Sequence, residues 1–582
     1  MSFWKIIVNN LLHFRRQHLG VALGVALGAM VLIGALTVGD SVRSTLSKLA
    51  EVRIGKADMA LLASDGYFRE ELAKEIATEL GLDSVVAPLV VTRGTVSLPD
   101  GSRRVGNVQV LGVDERFWKL APDTEYSPIG SWAGKKNWPE WGPGFFYPNE
   151  RLHKLLKVSD QGRIILRIEE PSLFSRDAPL SGERDNKFVS FNGKLTGPVS
   201  ADGFGHFGIQ GNQREPLTLF VPIKTLQKRM FRSFDEGGGK TSFTNFLLLG
   251  RLENGAVDEK SARIALEKSW TLADAGITLK SLRDTNASSV RARQVFLNPS
   301  LENAARSIDL NATGVLTYLV NTIEAENGES NGSGLIPYSM VSAVDPKKVS
   351  FLPYDWREDE IMLNQWAMDD LDVKTGDSIT LRYFSVGERR KLVEETRKFI
   401  LRGVCPNPPM IPEGEESDWT PQFPGLSDAE SCGEWDTGIP ITEEIRSKDE
   451  EYWNRHRGSP KAFISLQAGR DLWTNRWGSL TGLRFSNAMH SPEIMANKLR
   501  GLMTAKQAGL LFQSLRADAN EGTESPVDFG QLFLSFSFFV IVAALALTGM
   551  LFAFSIEQRN RQAGLLLALG IPRKKVRLLV LG

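Results

Sequence analysis

Two cysteines are the residues of this 582-residue chain whose spacing most directly indicates chemistry. Cys405 and Cys432 both lie in segment 405–440, which is rich in proline and acidic residues. Such a segment forms neither a regular helix nor a central strand. A bridge between the two thiols would close a loop there and stabilise the fold by about 2–4 kcal/mol. The sequence predicts this disulfide in an oxidising compartment, and the alternative is a pair of free thiols.

Other patterns resemble catalytic or ligand-binding motifs only in part. Segment 237–242, GGGKTS, is similar to a phosphate-binding loop, but Phe234 stands where the pattern needs its first glycine. Gly328, Ser330 and Gly332 match a nucleophile pattern whose flanking strand and helix are missing. We interpret both segments as flexible loops. The six histidines form no metal-ligating group, so we expect no catalytic residue, cofactor or metal site.

An aromatic cluster occupies residues 131–148. Its composition suits either contact with an apolar or sugar-bearing ligand, or a loop that its own rings hold against the core. The second interpretation is favoured, because buried aromatic loops are the more common case. The rings of this cluster are Trp132, Trp138, Trp141, Phe145, Phe146 and Tyr147.

Two uncharged stretches are long enough to cross a membrane. Residues 19–38 and 529–556 contain no Asp, Glu, Lys or Arg, and about 20 helical residues span a bilayer core. The first stretch is longer than the apolar part of a cleaved signal peptide. We therefore predict two transmembrane helices, preceded by an amphipathic tail over 1–18.

The charges beside these stretches predict their orientation. Residues 1–18 carry a net charge of +3 and residues 557–582 carry +5, although the whole chain balances 69 Lys+Arg against 69 Asp+Glu. Positive flanks lie on the cytoplasmic side, which places 40–528 outside the cytoplasm. The overall neutrality argues against nucleic-acid binding.

Small residues recur at a fixed interval in the first stretch. Gly20, Gly24 and Gly28 are four residues apart, and this spacing forms a groove in which a second helix packs closely in lipid. We predict that the glycine stripe contacts another helix.

The outer segment 40–528 has the composition and patterning of an α+β domain. Pro99, Asp100 and Gly101 predict a turn between two hairpin strands, and 325–334 has the composition of a hairpin loop or a linker. Two helix–turn–strand stretches, 146–168 and 360–384, are similar to each other. They align Asn149, Val158 and Gly162 with Asn364, Val373 and Gly376.

This internal similarity indicates duplicated modules, which we place at about 57–300 and 301–515. Chance similarity is the alternative, because a helix followed by a turn and a strand is common. The predicted fold class is a membrane protein with two transmembrane helices, the start of a third, and a large extracytoplasmic α+β domain.

The segment after the second stretch differs from both spans. Residues 557–575 combine charges with an apolar run that Gly570 and Pro572 should end, and 576–582 begin a further apolar pattern. The pattern predicts a cytoplasmic helix that docks on a partner protein, an interfacial helix being the alternative. Because the third pattern stops early, we expect the sequence to be a fragment.

Residues 11–43, the segment 551–582 and the order of tail, span, outer domain and span resemble the FtsX-like permease family. This family includes the MacB and LolC/LolE transmembrane components of ABC transporters. Its loop pattern is roughly E-x-R-x-x-x-x-G-x-L-x-A-L-G, and the residues that fill it here are Glu557, Arg559, Gly564, Leu566, Ala568, Leu569 and Gly570.

The resemblance implies an ABC permease or mechanotransmission subunit in the bacterial inner membrane that is not itself an enzyme. It also implies a cytoplasmic ATPase partner at the loop residues and a second permease copy. The residues alone leave an extracytoplasmic sensor as the alternative. The substrate class, whether lipoprotein, lipid, peptide or drug, stays open.

Overall fold

The structure is a computed structural model. It describes residues 3–63, 66–122, 144–158, 162–169, 188–208, 216–231, 241–252, 255–283, 287–326, 334–387, 392–412, 415, 417–423, 425–427, 429–435, 439–486, 491–518 and 529–581. The described chain divides into two compact units. The helical unit contains the chain up to Ile54 and from Leu515 onward, and the barrel unit contains Gly55–Phe207 and Glu215–Ser514.

The helices of the described residues are α1 Phe3–His13, α2 Arg15–Ile54, α3 Glu71–Leu80, α4 Glu115–Lys119, α5 Glu150–Leu156, α6 Ile223–Met230, α7 Glu259–Ser269, α8 Pro299–Ile308, α9 Gln365–Leu371, α10 Ser447–His456, α11 Leu466–Trp473, α12 Pro492–Leu502, α13 Phe529–Ala568 and α14 Arg573–Leu581.

The strands of the described residues are β1 Ala57–Ala63, β2 Phe68–Arg69, β3 Ser84–Ser97, β4 Arg104–Val113, β5 Phe145–Pro148, β6 Arg163–Glu169, β7 Phe188–Leu195, β8 Thr218–Pro222, β9 Phe243–Thr244, β10 Phe246–Arg251, β11 Ile277–Ser281, β12 Ala287–Ala292, β13 Thr313–Ala325, β14 Leu335–Val344, β15 Glu360–Asn364, β16 Ser378–Val386, β17 Leu392–Cys405, β18 Ala462–Ser465, β19 Gly482–Ser486 and β20 Leu510–Ser514.

Two helices of the described chain are long and apolar enough to cross a membrane. Helix α2 and helix α13 each contain 40 residues, about 60 Å of helix at 1.5 Å per residue. The predicted spans 19–38 and 529–556 are therefore parts of longer helices. The predicted helix at 557–575 is not separate, because residues 557–568 continue α13 without a break.

The barrel unit is built on two sheets of nine described strands each. The first has the order β20-β1-β10-β3-β4-β8-β5-β7-β6, and β6 pairs with β3 as well. This extra pairing closes β3, β4, β8, β5, β7 and β6 into a barrel. At the closure, a Cβ on Gly94 of β3 would lie 2.7 Å from the carbonyl oxygen of Arg167, so the two strands approach closely only because residue 94 is glycine.

The second sheet repeats this arrangement. Its order is β11-β12-β19-β13-β14-β18-β15-β17-β16, and β16 also pairs with β13. Strands β1, β3–β8 and β10 thus correspond to β12–β19 in the same chain order. The parallel pairs correspond too, β4/β8 to β14/β18 and β5/β7 to β15/β17. The internal similarity seen in the sequence therefore extends over eight strands.

The two similar stretches occupy equivalent places in the two barrels. The side chain of Asn149 accepts a hydrogen bond from the N–H of Leu152 at the start of α5. Asn364 does the same with the N–H of Ala367 at the start of α9. An asparagine at this position satisfies a backbone donor that the first turn leaves unpaired, which explains why the residue recurs.

Apart from one edge strand, the strands that build one sheet form one repeat of the chain. Each sheet receives one edge strand from the repeat that builds the other sheet. Strand β11 follows α7 of the first repeat but pairs with β12, and β20 follows α12 of the second repeat but pairs with β1. The predicted module boundary at 300/301 falls inside α8, within the second repeat, because helix and strand patterns do not show which sheet a strand joins. The repeats are consequently interlocked.

Side-chain hydrogen bonds stabilise the segments that lead into the two exchanged strands, β11 and β20. The Arg69 guanidinium donates to both carboxylate oxygens of Asp274 at 2.9 and 2.8 Å, just before β11. Arg500 of α12 donates through Nε to the carbonyl oxygen of Trp270, at 3.0 Å. These bidentate and charge-assisted bonds are among the stronger hydrogen bonds in proteins, so the interlock is well fixed.

Several local predictions are confirmed. The turn at Pro99, Asp100 and Gly101 joins the antiparallel strands β3 and β4, and 325–334 lies between the antiparallel strands β13 and β14. Within 405–440, the described residues after β17 contain no α-helix or strand and one short 3-10 turn, Cys432–Glu434. Phe146 and Tyr147, from the aromatic cluster, are buried in β5, whereas Trp132, Trp138 and Trp141 lie outside the described residues.

Candidate functional site

The glycine stripe of α2 packs against α13 of the same chain. A Cβ on Gly24 would lie 2.5 Å from Oγ1 of Thr548, and a Cβ on Gly28 would lie 3.6 Å from Cβ of Ala544. At Gly20 the nearest atom is Cδ1 of Leu551, 3.7 Å away. As the numbers rise on α2 they fall on α13, so the helices are antiparallel. The predicted helix contact is thus made within the chain.

The arginine of the motif is part of this packing. Arg559 is 2% exposed, and its guanidinium carbon lies 4.4 Å from the ring centre of Phe14, in the turn between α1 and α2. A cation over an aromatic face is a stabilising contact. The geometry therefore indicates that Arg559 holds the N-terminal helices against α13 and is not part of an exposed surface. Glu557, two residues earlier, is exposed.

Helix α13 ends at the glycine that the sequence predicts. The N–H of Gly570 donates to the carbonyl of Leu567 at 3.0 Å, and the N–H of Ile571 donates to that of Leu566 at 3.1 Å. Gly570 has a φ of 80°, the left-handed conformation that glycine adopts without strain. This pair of bonds is the Schellman motif, which satisfies carbonyls at the helix end. The turn is followed by Pro572 and α14.

The end of α13 presents apolar side chains that the described residues leave uncovered. Leu565 and Leu569 are 65% and 71% exposed, Gly564 faces open space, and Ala568 is exposed. Leu566 is only partly covered. Three residues of the motif, Gly564, Ala568 and Leu569, form with Leu565 an exposed surface at the end of α13 that we call the helix-end surface.

The predicted disulfide is not formed in the structure. Cys405 and Cys432 are free, buried thiols. Cys405 packs among residues that include Val344 and Phe463, whereas Cys432 belongs to the main core cluster. Their side chains therefore fill different parts of the interior. Burial raises the pKa of Cys405 to about 12, which keeps the thiol protonated and unreactive.

A partly buried ion-pair network joins the end of segment 406–461 to α9 of the second barrel. Asp449, 5% exposed, accepts hydrogen bonds from Nε of Arg446 at 2.7 Å and from Nζ of Lys461 at 3.1 Å. Arg446 also donates to Asp370 of α9 at 2.8 Å, and Lys448 bonds to Asp370. We call these five residues the Asp449 cluster. It joins α10, β18 and the repeated helix α9.

Burial governs the ionisation of this cluster. Desolvation lowers the pKa of Lys461 to about 8, although Asp449 opposes the shift. The ammonium group also lies 4.3 Å from the ring centre of Trp366 and 4.9 Å from that of Tyr452. Burial alone would raise the pKa of Asp449, but its bonds to Arg446 and Lys461 lower it overall. The cluster is held as an ion pair at neutral pH.

The remaining sequence motifs offer no chemistry within the described residues. In GGGKTS only Thr241 and Ser242 are described, and Gly328, Ser330 and Gly332 lie outside the described residues. No group of three or more His, Cys, Asp and Glu residues that could hold a metal ion occurs in the part of the chain that the structure describes. The Asp449 cluster carries no sequence motif, since Asp370 and Lys461 reach Arg446, Lys448 and Asp449 only through the barrel fold.

Comparison with known proteins does not extend these observations. No protein-family model matches the chain, and no curated protein matches it either. The functional inference therefore depends on the chain's own residues and contacts, together with the resemblance of its short loop motif.

Proposed function

We propose that this chain is the permease or mechanotransmission subunit of a bacterial ABC transporter. In this proposal α2 and α13 cross the cytoplasmic membrane, and their basic ends lie in the cytoplasm. The barrel unit lies outside, where it handles or exports substrate. ATP is hydrolysed by a partner subunit, and a second copy or homologue of the chain completes the complex.

The observation that carries the proposal is the helix-end surface. Exposed leucines beside a glycine, at a helix end that is fixed by a Schellman turn, suit the docking of another protein. The surface lies at the end of α13 that the basic residues Arg561, Arg573 and Lys574 assign to the cytoplasm. An ATPase bound there would act directly on a helix that continues through the membrane.

The packing of the two long helices supports transmission of movement. Close glycine contacts and the Phe14–Arg559 pair join α2 to α13. Helix α2 continues unbroken to Ile54, and only Gly55 and Lys56 separate it from β1. A displacement at the cytoplasmic end would therefore be carried along continuous helix as far as Ile54.

Charging the helix-end surface is expected to release the ATPase. The double variant Leu565→Asp and Leu569→Asp should lose copurification of an ABC-type ATPase by at least about 10-fold, since two buried charges in an interface cost several kcal/mol. Membrane insertion should persist, because both residues are exposed. The fully exposed Leu82 of the barrel unit, changed to Asp, is the matched control.

The copurification experiment also distinguishes a permease subunit from an extracytoplasmic sensor. Retention of the ATPase in the double variant would refute the assigned contact. Recovery of a histidine kinase or a cyclase at this surface, in place of an ATPase, would instead establish an extracytoplasmic sensor.

A further inference from the structure

A cavity of about 300 Å³ lies where segment 406–461 meets the second barrel. One wall is the start of that segment, Pro406 to Ile411, and the other is formed by Phe351, Phe463 and Arg484. The equivalent connection in the first barrel, 196–217, is much shorter. The cavity therefore belongs to the part of the barrel unit in which the two repeats differ most.

The apolar part of the cavity is an aromatic box. Phe351 and Phe463 lie with ring centres 5.4 Å apart, and Trp419 lies 5.7 Å from the first and 5.6 Å from the second. All three pairs meet edge to face. The box is rigid, because edge-to-face contacts and the fixed φ of the neighbouring prolines limit its movement. A preformed site of this kind lowers the entropic cost of binding.

Positive charge lies directly beside the box. The guanidinium carbon of Arg484 is 3.6 Å from the ring centre of Trp419, and Arg484 is 9% exposed. Arg283 also lines the cavity and pairs with Glu415. Asp418 is the carboxylate of the lining, and one of its oxygens accepts the backbone N–H of Arg283 at 3.0 Å. Because Glu415 neutralises Arg283, Arg484 and Asp418 are the remaining charged groups of the lining.

We propose that this cavity binds a planar, apolar monoanion such as an aromatic carboxylate. The aromatic part packs in the cavity against the rings of Phe351, Trp419 and Phe463, and the anionic group lies against Arg484. Guanidinium groups recognise carboxylates through paired N–H donors and also stack on aromatic faces, and the stacking on Trp419 is present at this wall. The inference goes beyond the proposed function and does not depend on it.

The test measures binding of 1-naphthaleneacetate to the full chain in nanodiscs, by calorimetry and by quenching of tryptophan fluorescence. Lipid-only nanodiscs supply the blank. We expect saturable binding with a Kd of roughly 10 μM to 1 mM for a ligand of this size. The neutral isostere 1-naphthaleneacetamide should bind at least about 10-fold more weakly, because it lacks the charge that the guanidinium recognises.

Two sets of variants locate the site. Arg484→Gln should weaken binding of the acid by about 10-fold or more, whereas Arg476→Gln, which removes a cation from the face of Trp477 outside the cavity, should leave it unchanged. Met410 lines the cavity and is 73% exposed, so charges there are tolerated by the fold. Met410→Lys should strengthen binding of the acid and Met410→Glu should weaken it, each roughly 2- to 5-fold.

The two Met410 variants test the proposed binding even if Arg484→Gln disturbs folding. Opposite effects of lysine and glutamate on the acid, with little effect on the amide, support the proposal. Absence of saturable binding, equal affinity for acid and amide, or identical behaviour of the two Met410 variants would overturn it.

Discussion

Replacing Asp449 with asparagine is expected to destabilise the barrel unit by about 3–5 kcal/mol, because removal of one partner leaves buried charges without compensation. The change keeps the shape of the side chain but removes the charge that binds Arg446 and Lys461. Of the 13 tryptophans, 12 lie in 40–528. Urea unfolding of the full chain in nanodiscs, followed by tryptophan fluorescence, therefore reports this unit.

The loss of stability in Asp449→Asn should also depend on pH. Because the folded-state pKa of Asp449 is lowered, its contribution to stability is present above the unfolded value of about 4 and is lost as the pH falls through the folded value. The difference between wild type and Asp449→Asn should hence shrink below about pH 4.

Two further variants serve as controls for Asp449→Asn. Asp471→Asn removes an exposed carboxylate from α11 and should change the free energy of unfolding by less than about 0.5 kcal/mol. Lys461→Met removes a group whose folded pKa is about 8, below the unfolded value. Wild-type stability should rise between about pH 8 and 10.5, where the unfolded chain binds more protons, and this rise should disappear in Lys461→Met. Equal stability of Asp449→Asn and wild type at pH 7 would contradict the role of the cluster.

Replacing Gly24 with leucine is expected to separate α2 from α13. A Cβ added at that position would lie 2.5 Å from Oγ1 of Thr548, and this hydroxyl donates a hydrogen bond to the carbonyl oxygen of Ala544 at 2.7 Å. Inserting a larger side chain into such a contact costs about 1–3 kcal/mol, or roughly 5- to 150-fold in the pairing equilibrium. The sequence pattern alone does not say which helix fills the groove, so this experiment tests the structure.

An engineered disulfide measures the pairing. A Cβ on Gly28 would be 3.6 Å from Cβ of Ala544, within the range of disulfides. Gly28→Cys with Ala544→Cys, in a chain lacking Cys405 and Cys432, should crosslink readily, and adding Gly24→Leu should reduce the yield.

Matched changes on the same helices complete this test. Gly34→Leu is the control for Gly24→Leu, because no atom of the described residues lies within 4 Å of a Cβ there. Thr548→Ala should rescue Gly24→Ala, since it deletes the clashing oxygen. Undiminished crosslinking in the Gly24→Leu chain would show that the stripe is not the contact.

Local sequence signals anticipated much of this molecule. The uncharged stretches, the turn at Pro99–Gly101, the end of α13 at Gly570 and the two capping asparagines all act within a few residues of the chain, so spacing alone reveals them. The glycine stripe indicated a helix contact for the same reason. The spacing does not show which helix packs against the stripe, because many apolar helices fit into such a groove.

The features that sequence reasoning missed depend on contacts between distant residues. Closure of each barrel requires β6 to reach β3 and β16 to reach β13, and the exchange of β11 and β20 depends on which edge is open. The burial of Arg559 needs Phe14, more than 500 positions away. The Asp449 cluster likewise draws on α9, α10 and β18. Its buried lysine is a polar residue that no hydrophobic pattern identifies as part of the interior.

The most direct test of the central claim is photocrosslinking from residue 569 in living cells. A benzoylphenylalanine at this position, 71% exposed at the end of α13, should crosslink to an ABC-type ATPase that mass spectrometry identifies. The same amino acid at position 82, on the barrel unit, should not. Crosslinking of an ATPase from 569 alone is the predicted result. Crosslinking of 569 to lipid, to a signalling enzyme or to extracytoplasmic proteins would contradict the assignment of this chain as a permease subunit.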